Sequence, residues 1–311
     1  GNISFKVDRS SIRQGNAVIA IKDVSDAILW SWHVWVTDED INNVIEITNH
    51  QNVKYNFMPV NLGQCDGNTI TYEERSCKVK FIAGDQSKEI TIKQLANVIA
   101  TGSNAPFYQW GRKDPLYPSN GMGNTTKIWY DKEGIPSTAN PMKGTFSAGN
   151  YCIKNCILNP NLMHNRYNGD YTYYNLWSAD NKTTSANDNP VNKTIYDPCS
   201  VGFKLPASNA FTGFTTTGES VSSSTQVNGT WSSSEKGWYF YTNSEKTQSI
   251  FFPALGYRSY STMRPGSIGT QGCFWSAHPV AKGNNYYLRT SSVDVQPTYM
   301  VDRGFGYALR P

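Results

Sequence analysis

Charge is scarce in this chain. Asp, Glu, Lys and Arg make up 17% of the 311 residues, and the formal net charge is +4. The Lys and Arg residues form no cluster, so the basic stripe on which phosphate contacts depend is missing and no nucleic-acid partner is expected. Lys78 and Lys80 in Cys77-Lys78-Val79-Lys80 read as the solvent face of a strand. No apolar run approaches the roughly 20 residues of a membrane helix, so no membrane-spanning segment is expected. Also absent are a Gly-x-Ser-x-Gly elbow, a His-Glu-x-x-His pair, a phosphate-cradling glycine loop and an EF-hand pattern. Asp and Glu are scattered, and no pair can be chosen for glycosidase work. The expectation is a protein that is not an enzyme.

Cysteine is modest, at six residues. An even count permits up to three disulfides. Cys65 and Cys77 flank a turn-rich stretch able to close as a hairpin, and they are the expected pair. Cys152-x₃-Cys156-x₇-His164 offers three possible ligands, but structural zinc takes four and no fourth lies nearby. Cys152 and Cys156 read as an i,i+4 pair on a helix. No metal and no other cofactor is expected.

What is abundant is aromatic: 13 Phe, 9 Trp and 19 Tyr, set among 25 Gly and 15 Pro. This mixture suits short strands and long polar loops, because each aromatic supplies a large buried area. Residues 15 to 36 read as a hairpin, with Ala17 to Ile21 and Ile28 to Val36 around a turn at Asp23-Val24-Ser25-Asp26. Trp30, Trp32 and Val34 share one face, and Ser31, His33 and Trp35 the other. A second hairpin joins Cys77 to Phe81 with Glu89 to Leu95 around Ala83-Gly84-Asp85-Gln86-Ser87. Helix signals are few. Residues 147–158 make about three turns with Ile153 and Ile157 on one side, and a short helix is expected from Pro206 with Ser208 as its cap. Strands return at 237–241, 248–252, 285–289 and 307–310. The opening residues Ile3-Ser4-Phe5-Lys6-Val7 already alternate like a strand. Gly1 therefore reads as a processing or cloning remnant, and a segment upstream of it is expected.

Two loop stretches carry the candidate ligand-binding residues. Tyr171, Tyr173, Tyr174, Trp177 and Asp180 interleave aromatics with planar polar groups, as sugar recognition does with its C–H faces and hydroxyl edges. Tyr257 and Arg258 form a second stretch. The competing reading is that these aromatics pin long loops to the core.

One cassette organises the second half: Tyr196-Asp197-Pro198-Cys199-Ser200-Val201-Gly202-Phe203-Lys204-Leu205-Pro206. Together with Tyr108-Gln109-Trp110-Gly111-Arg112-Lys113-Asp114-Pro115, Gly272-Cys273-Phe274-Trp275-Ser276-Ala277 and the closing Gly306-Tyr307-Ala308-Leu309-Arg310-Pro311, it resembles the FISUMP-type domain. That domain has a C-type-lectin-like fold and occurs in Bacteroidetes surface proteins, including fimbrillin-like pilus and adhesion proteins. The stretches Gly15 to Ile21 and Leu29 to Thr37 resemble the lead-in of the same proteins.

The resemblance implies pairing between strands from the two ends of the chain, a long loop region over a small sheet, and export to the bacterial cell surface. It does not extend to the calcium-dependent sugar site. Gln296-Pro297-Thr298 lacks the needed carboxylate. The expected fold is α+β and β-dominated, one lectin-like domain over 1–311, with a hairpin extension over 1–104 and a loop-rich core over 105–311. The expected function is a non-enzymatic adhesion or pilus-associated module binding a glycan or a host or neighbour-cell protein. The alternatives are a purely structural appendage subunit among pilin subunits, and a cysteine-dependent enzyme on a formylglycine-generating-like fold.

Overall fold

Apolar–polar alternation becomes antiparallel pairing along most of the chain. The computed structural model describes residues 4–6, 8–12, 14–65, 69–100, 105–118, 129–130, 136–137, 144–147, 149–167, 173–180 and 183–311. Strand β1 (Gly15–Lys22) pairs with β2 (Ile28–Val36). Their turn is closed by the Asp23 carboxylate, which accepts from the backbone N–H of Ser25 at 2.8 Å and of Ala27 at 3.0 Å. This local bonding is why Asp suits turns. Strand β3 (Ile45–Thr48) pairs with β4 (Lys54–Phe57).

The next four strands make one ribbon: β5 (Thr69–Tyr72), β6 (Arg75–Ala83), β7 (Gln86–Gln94) and β8 (Asn97–Ala100). Thr69 lies opposite Ala100 and Ala83 opposite Gln86, and the two pairings keep the same phase across an interruption at 73–74 and 95–96. The two-residue turn Gly84-Asp85 has Gly84 at φ 61°, a conformation that costs glycine little and matches strand twist. At about 3.3 Å per residue the ribbon reaches about 50 Å.

Short pieces follow: β9 (Tyr108–Gln109), β10 (Trp129–Tyr130), β11 (Pro136–Ser137), β12 (Gly144–Ser147), helix α1 (Gly149–Leu158) and β13 (Met163–Tyr167). Strands β12 and β13 are parallel and joined through α1. The last third holds two meanders. One is β14 (Gly229–Ser232), β15 (Gly237–Tyr241) and β16 (Ser249–Pro253). After β17 (Tyr257–Arg258) and β18 (Pro265–Gly266) comes the other: β19 (Gly272–Pro279), β20 (Asn284–Thr290) and β21 (Val295–Asp302). Strand β22 (Gly306–Tyr307) closes between β17 and β9. The molecule is β-dominated, as expected.

Strand β19 is buried along its whole length and divides two cores. Phe274 joins Phe107, Phe211, Phe214, Trp238, Phe240 and Phe252 in one cluster. Its neighbours Cys273 and Trp275 join Tyr108, Trp110, Trp177, Tyr287 and Tyr307 in the other. Alternation along a strand makes this division possible. Edge-on and stacked ring pairs fill both clusters, with Phe214 and Phe240 stacked at 3.9 Å.

The last residues pair back to earlier ones. The N–H of Leu62 donates to the Leu309 carbonyl at 3.0 Å, and that of Met58 to the Pro311 carbonyl at 2.8 Å. Arg310 is buried beneath this seam. It donates to Asn61 Oδ1 at 2.8 Å, to the Met58 carbonyl at 3.0 Å and to the Phe251 carbonyl at 2.6 Å. Ile47 and Phe57 enter the first cluster and Leu62 the second. The stretch 45–63 therefore belongs to the core, although it was assigned to the extension over 1–104.

Local expectations are met at several points and corrected at others. Helix α1 forms where expected. The turn after Pro206 is a 3₁₀ segment, Ser208–Phe214, and Ser208 does not cap it. Its hydroxyl instead lies 3.2 Å from both the Asn187 carbonyl and His278 Nδ1. No disulfide joins Cys65 to Cys77. The strand nearest Cys65 in sequence pairs with β8 rather than with the strand holding Cys77, so no hairpin brings the two sulfurs together.

The cassette over 196–206 is held by Lys193 and Asp197. The Lys193 ammonium donates to the carbonyls of Cys199, Ser200 (3.1 Å) and Phe203 (2.9 Å). The Asp197 carboxylate accepts from the N–H of Cys199 (2.8 Å) and Leu205 (3.2 Å). Gly202 sits at φ 88° with open space around it, so backbone conformation rather than crowding selects glycine here.

Candidate functional site

The expected aromatic platform does not lie open on the surface. Trp177 is fully buried in the second cluster, and its indole N–H is shared between the carbonyls of Arg112 (3.2 Å) and Tyr196 (3.1 Å). Arg258 is 1% exposed, and its guanidinium donates to the Tyr117 and Met263 carbonyls, each at 2.6 Å. These two residues are corrected from ligand contacts to loop pins, because a buried indole or guanidinium must find its acceptors inside the protein. Tyr257 is half-buried, edge-on to Phe305 and Tyr307. Tyr173 and Tyr174 are half-buried, and Asp180 is exposed, accepting from Asn192 Nδ2 at 2.7 Å. Tyr171 lies outside the described residues.

Three features remain. The first is a groove of about 830 Å³ between β2 and the cassette, bordered by Trp30, Trp32, Trp35, Ile195 and Val201. It exists because the polar face of β2 docks inward. Lys113 Nζ donates to the Ser31 carbonyl (2.8 Å), to Ser31 Oγ (2.5 Å) and to Asp114 Oδ2 (2.7 Å). Ser31 Oγ donates to Asp114 Oδ1 at 2.8 Å, and Lys113 sits 4.5 Å from the Trp30 ring centre. Burial pulls the Lys113 ammonium below its ordinary pKa, against the opposing pull of Asp114. Two residues on, His33 Nδ1 lies 2.9 Å from the Tyr108 hydroxyl and Nε2 lies 2.8 Å from Asn16 Oδ1. Trp32, on the opposite face, is left 41% exposed.

The second is the ribbon. Register places Cys77 opposite Ile92, Val79 opposite Ile90 and Phe81 opposite Lys88 on one face. Phe81, Ile90 and Ile92 are 57%, 44% and 54% exposed. On the other face Lys78 pairs with Glu89 at 2.9 Å. Among the described residues β6 and β7 join no further strand, so both outer edges are unpaired there.

The third lies under α1. Cys152 and Cys156 stand one turn apart, and β13 brings His164 beneath them. One donor atom of each residue lies within 4.8 Å of the others. His164 is fully buried. Its backbone is gripped by Gln109, whose Oε1 accepts from the His164 N–H (2.9 Å) and whose Nε2 donates to its carbonyl (2.6 Å). Neither ring nitrogen makes a directed hydrogen bond among the described residues. Burial raises the Cys156 thiol. The hydrogen bond from Cys152, the Arg112 guanidinium and His164 outweigh that cost and hold it well below its ordinary value. A cavity of about 30 Å³ adjoins the sulfurs, lined by Arg112, Lys113, Asp114, Tyr173, Tyr196 and Arg303.

The spacing of the two cysteines was visible in the sequence. The meeting with His164 depends on the parallel pairing of β12 with β13, for which no local signal exists. Searches of family models, curated proteins and solved structures find nothing that matches this chain.

Proposed function

We propose that the chain is a non-enzymatic module of the bacterial cell surface, associated with an appendage, which binds a protein partner through the ribbon over 69–100. The observation that carries this reading is the apolar face of the ribbon. Phe81, Ile90 and Ile92 stay about half-exposed on a two-stranded element whose edges meet no strand among the described residues. An isolated two-stranded ribbon is marginal in water. Exposed edges and apolar faces of this length mark a surface for strand addition. The fit is to an appendage subunit that lends a strand and covers these side chains.

A C-type-lectin-like fold is part of the proposal. It is supported by the pairing of the chain's last residues with Met58, Leu62 and β9. Export to the cell surface rests on the resemblance carried by the cassette, Gly272 to Ala277 and the closing Gly306 to Pro311.

The test is co-purification of appendage subunits with the full chain and with the Phe81→Ser/Ile92→Ser variant. Capture by the native chain alone supports the proposal. Equal capture by both, or by neither, counts against it.

A second reading, binding of a glycan, is favoured by the groove beside Trp32. An indole exposed at the rim of an open groove offers the C–H-stacking face that a sugar ring needs. A glycan array read with native protein and Trp32→Ala separates the two: signal that depends on Trp32 but not on Phe81 assigns the ligand to the groove.

A further inference from the structure

We propose that Cys152, Cys156 and His164 form a zinc site with its fourth coordination position open to the adjoining cavity. The donor set is two thiols and one imidazole, the N/S combination that zinc prefers. Helical spacing places the two sulfurs on one face of α1. The third donor arrives from β13, so elements on either side of the cluster contribute ligands.

His164 supplies the second, independent observation. A fully buried imidazole normally satisfies both ring nitrogens, yet neither meets the geometry of a directed hydrogen bond among the described residues, and the side chain that pairs with the ring is the thiol of Cys156. Coordination through one nitrogen satisfies that nitrogen and leaves the other as a buried N–H. Zinc–sulfur and zinc–nitrogen distances imply donors about 3.5–3.8 Å apart in a tetrahedral site. The donors here lie within 4.8 Å of one another.

The surroundings suit an open site. Gln109 clamps the His164 backbone at both its N–H and its carbonyl, fixing the ligand in the way that supporting residues do around metals. Arg112, 3% exposed, lines the same cavity and is held by the Pro160 carbonyl (2.7 Å) and the Leu162 carbonyl (2.6 Å). A cavity of about 30 Å³ holds one or two waters, enough to complete four-coordination and too little for an organic ligand.

The experiment uses the full chain, reduced and stripped with chelator under nitrogen. It is titrated with Co²⁺ as a spectroscopic probe and then with Zn²⁺. The expected result is one equivalent of Co²⁺ with sulfur-to-cobalt charge-transfer absorption, displaced by one equivalent of Zn²⁺. Cys156→Ser and His164→Gln each weaken binding by at least about 100-fold, beyond the usual loss for a supporting residue, whereas Cys77→Ser binds as the native chain does. Far-UV circular dichroism checks folding, and Cys156→Ser decides the matter if His164→Gln unfolds. Absence of charge transfer at millimolar Co²⁺ overturns the proposal. So does equal binding by native chain and Cys156→Ser, or a Cys152–Cys156 disulfide in the native peptide map.

Discussion

Trp110 and Trp275 fasten each other's strands. The Trp110 indole N–H donates to the Ser276 carbonyl at 3.0 Å, and the Trp275 indole N–H donates to the Tyr108 carbonyl at 2.8 Å. The two segments are more than 160 residues apart in sequence, and both indoles are fully buried. This exchange ties β9 to β19 where no long ladder does so. It explains why two aromatic motifs far apart in the chain can specify one core.

Replacing either indole by a ring without a donor should be costly. Trp110→Phe or Trp275→Phe leaves a buried carbonyl short of a partner, at about 1–3 kcal/mol, and adds the loss of packing volume. Urea denaturation should show each variant destabilised by at least about 2 kcal/mol. A double variant less destabilised than the sum would show that the pair acts as a unit.

Stability should fall on acidification below neutral pH. Burial lowers His33 from 6.5 to about 4, and burial likewise lowers His278 to about 4. The unfolded chain then binds protons that the folded chain does not, so stability is complete above the unfolded value and declines as pH falls from 6.5 toward about 4. Asp114 opposes the shift at His33, as Asp188 does at His278. A plot of Tm against pH should slope through this window. His33→Gln should flatten the slope in part, and an unchanged slope would refute the assignment.

Gly256 should not tolerate a side chain. Its φ is 74°, and a Cβ there would lie 2.2 Å from the Gly266 carbonyl oxygen. Conformational strain of about 1–3 kcal/mol adds to a clash with backbone that cannot swing away. Gly256→Ala should lower Tm by several degrees. Gly84→Ala, with nothing within 4 Å, should lower it less.

The ribbon should be energetically separate from the core. Phe81→Ser and Ile92→Ser remove half-exposed side chains and should shift global stability by no more than about 0.5 kcal/mol. A thermal melt showing a loss of several kcal/mol would mean that the ribbon packs on the core.

Thiol reactivity should follow burial. Burial pushes Cys273 up to about 12 and Cys199 well above its ordinary value, whereas Cys77 is exposed. Timed labelling with a thiol reagent should modify Cys77 in the native protein and reach Cys199 and Cys273 only on unfolding. Fast native labelling of either buried thiol would contradict this placement.

Much of the secondary structure was legible because it is local. The ribbon could be read from its period-two pattern and its Gly84-Asp85 turn, and β1–β2 from alternation around an Asp turn. Helix α1 could be read from the spacing of Ile153 and Ile157. The fate of the polar and aromatic loop residues could not. Trp177 and Arg258 looked alike as sugar contacts or as loop pins, since composition is silent on which carbonyls lie overhead. On β2 the sequence did not say which of the two Trp-bearing faces is the core face. The structure docks the Ser31 and His33 face, because Lys113 and Asp114 offer that face charged, directional partners.

The sequence by itself determined a β-dominated chain with sparse charge, abundant aromatics and a hairpin over 77–95, since each of these follows from pattern and composition over a few residues. Tertiary structure alone decided that Cys152 and Cys156 meet His164, that Cys65 and Cys77 do not meet, and that Arg112, Arg258 and Arg310 are spent on backbone carbonyls. These outcomes depend on which distant backbones pass one another, and the hydrogen bonds that hold them there are available to many residues until the chain closes.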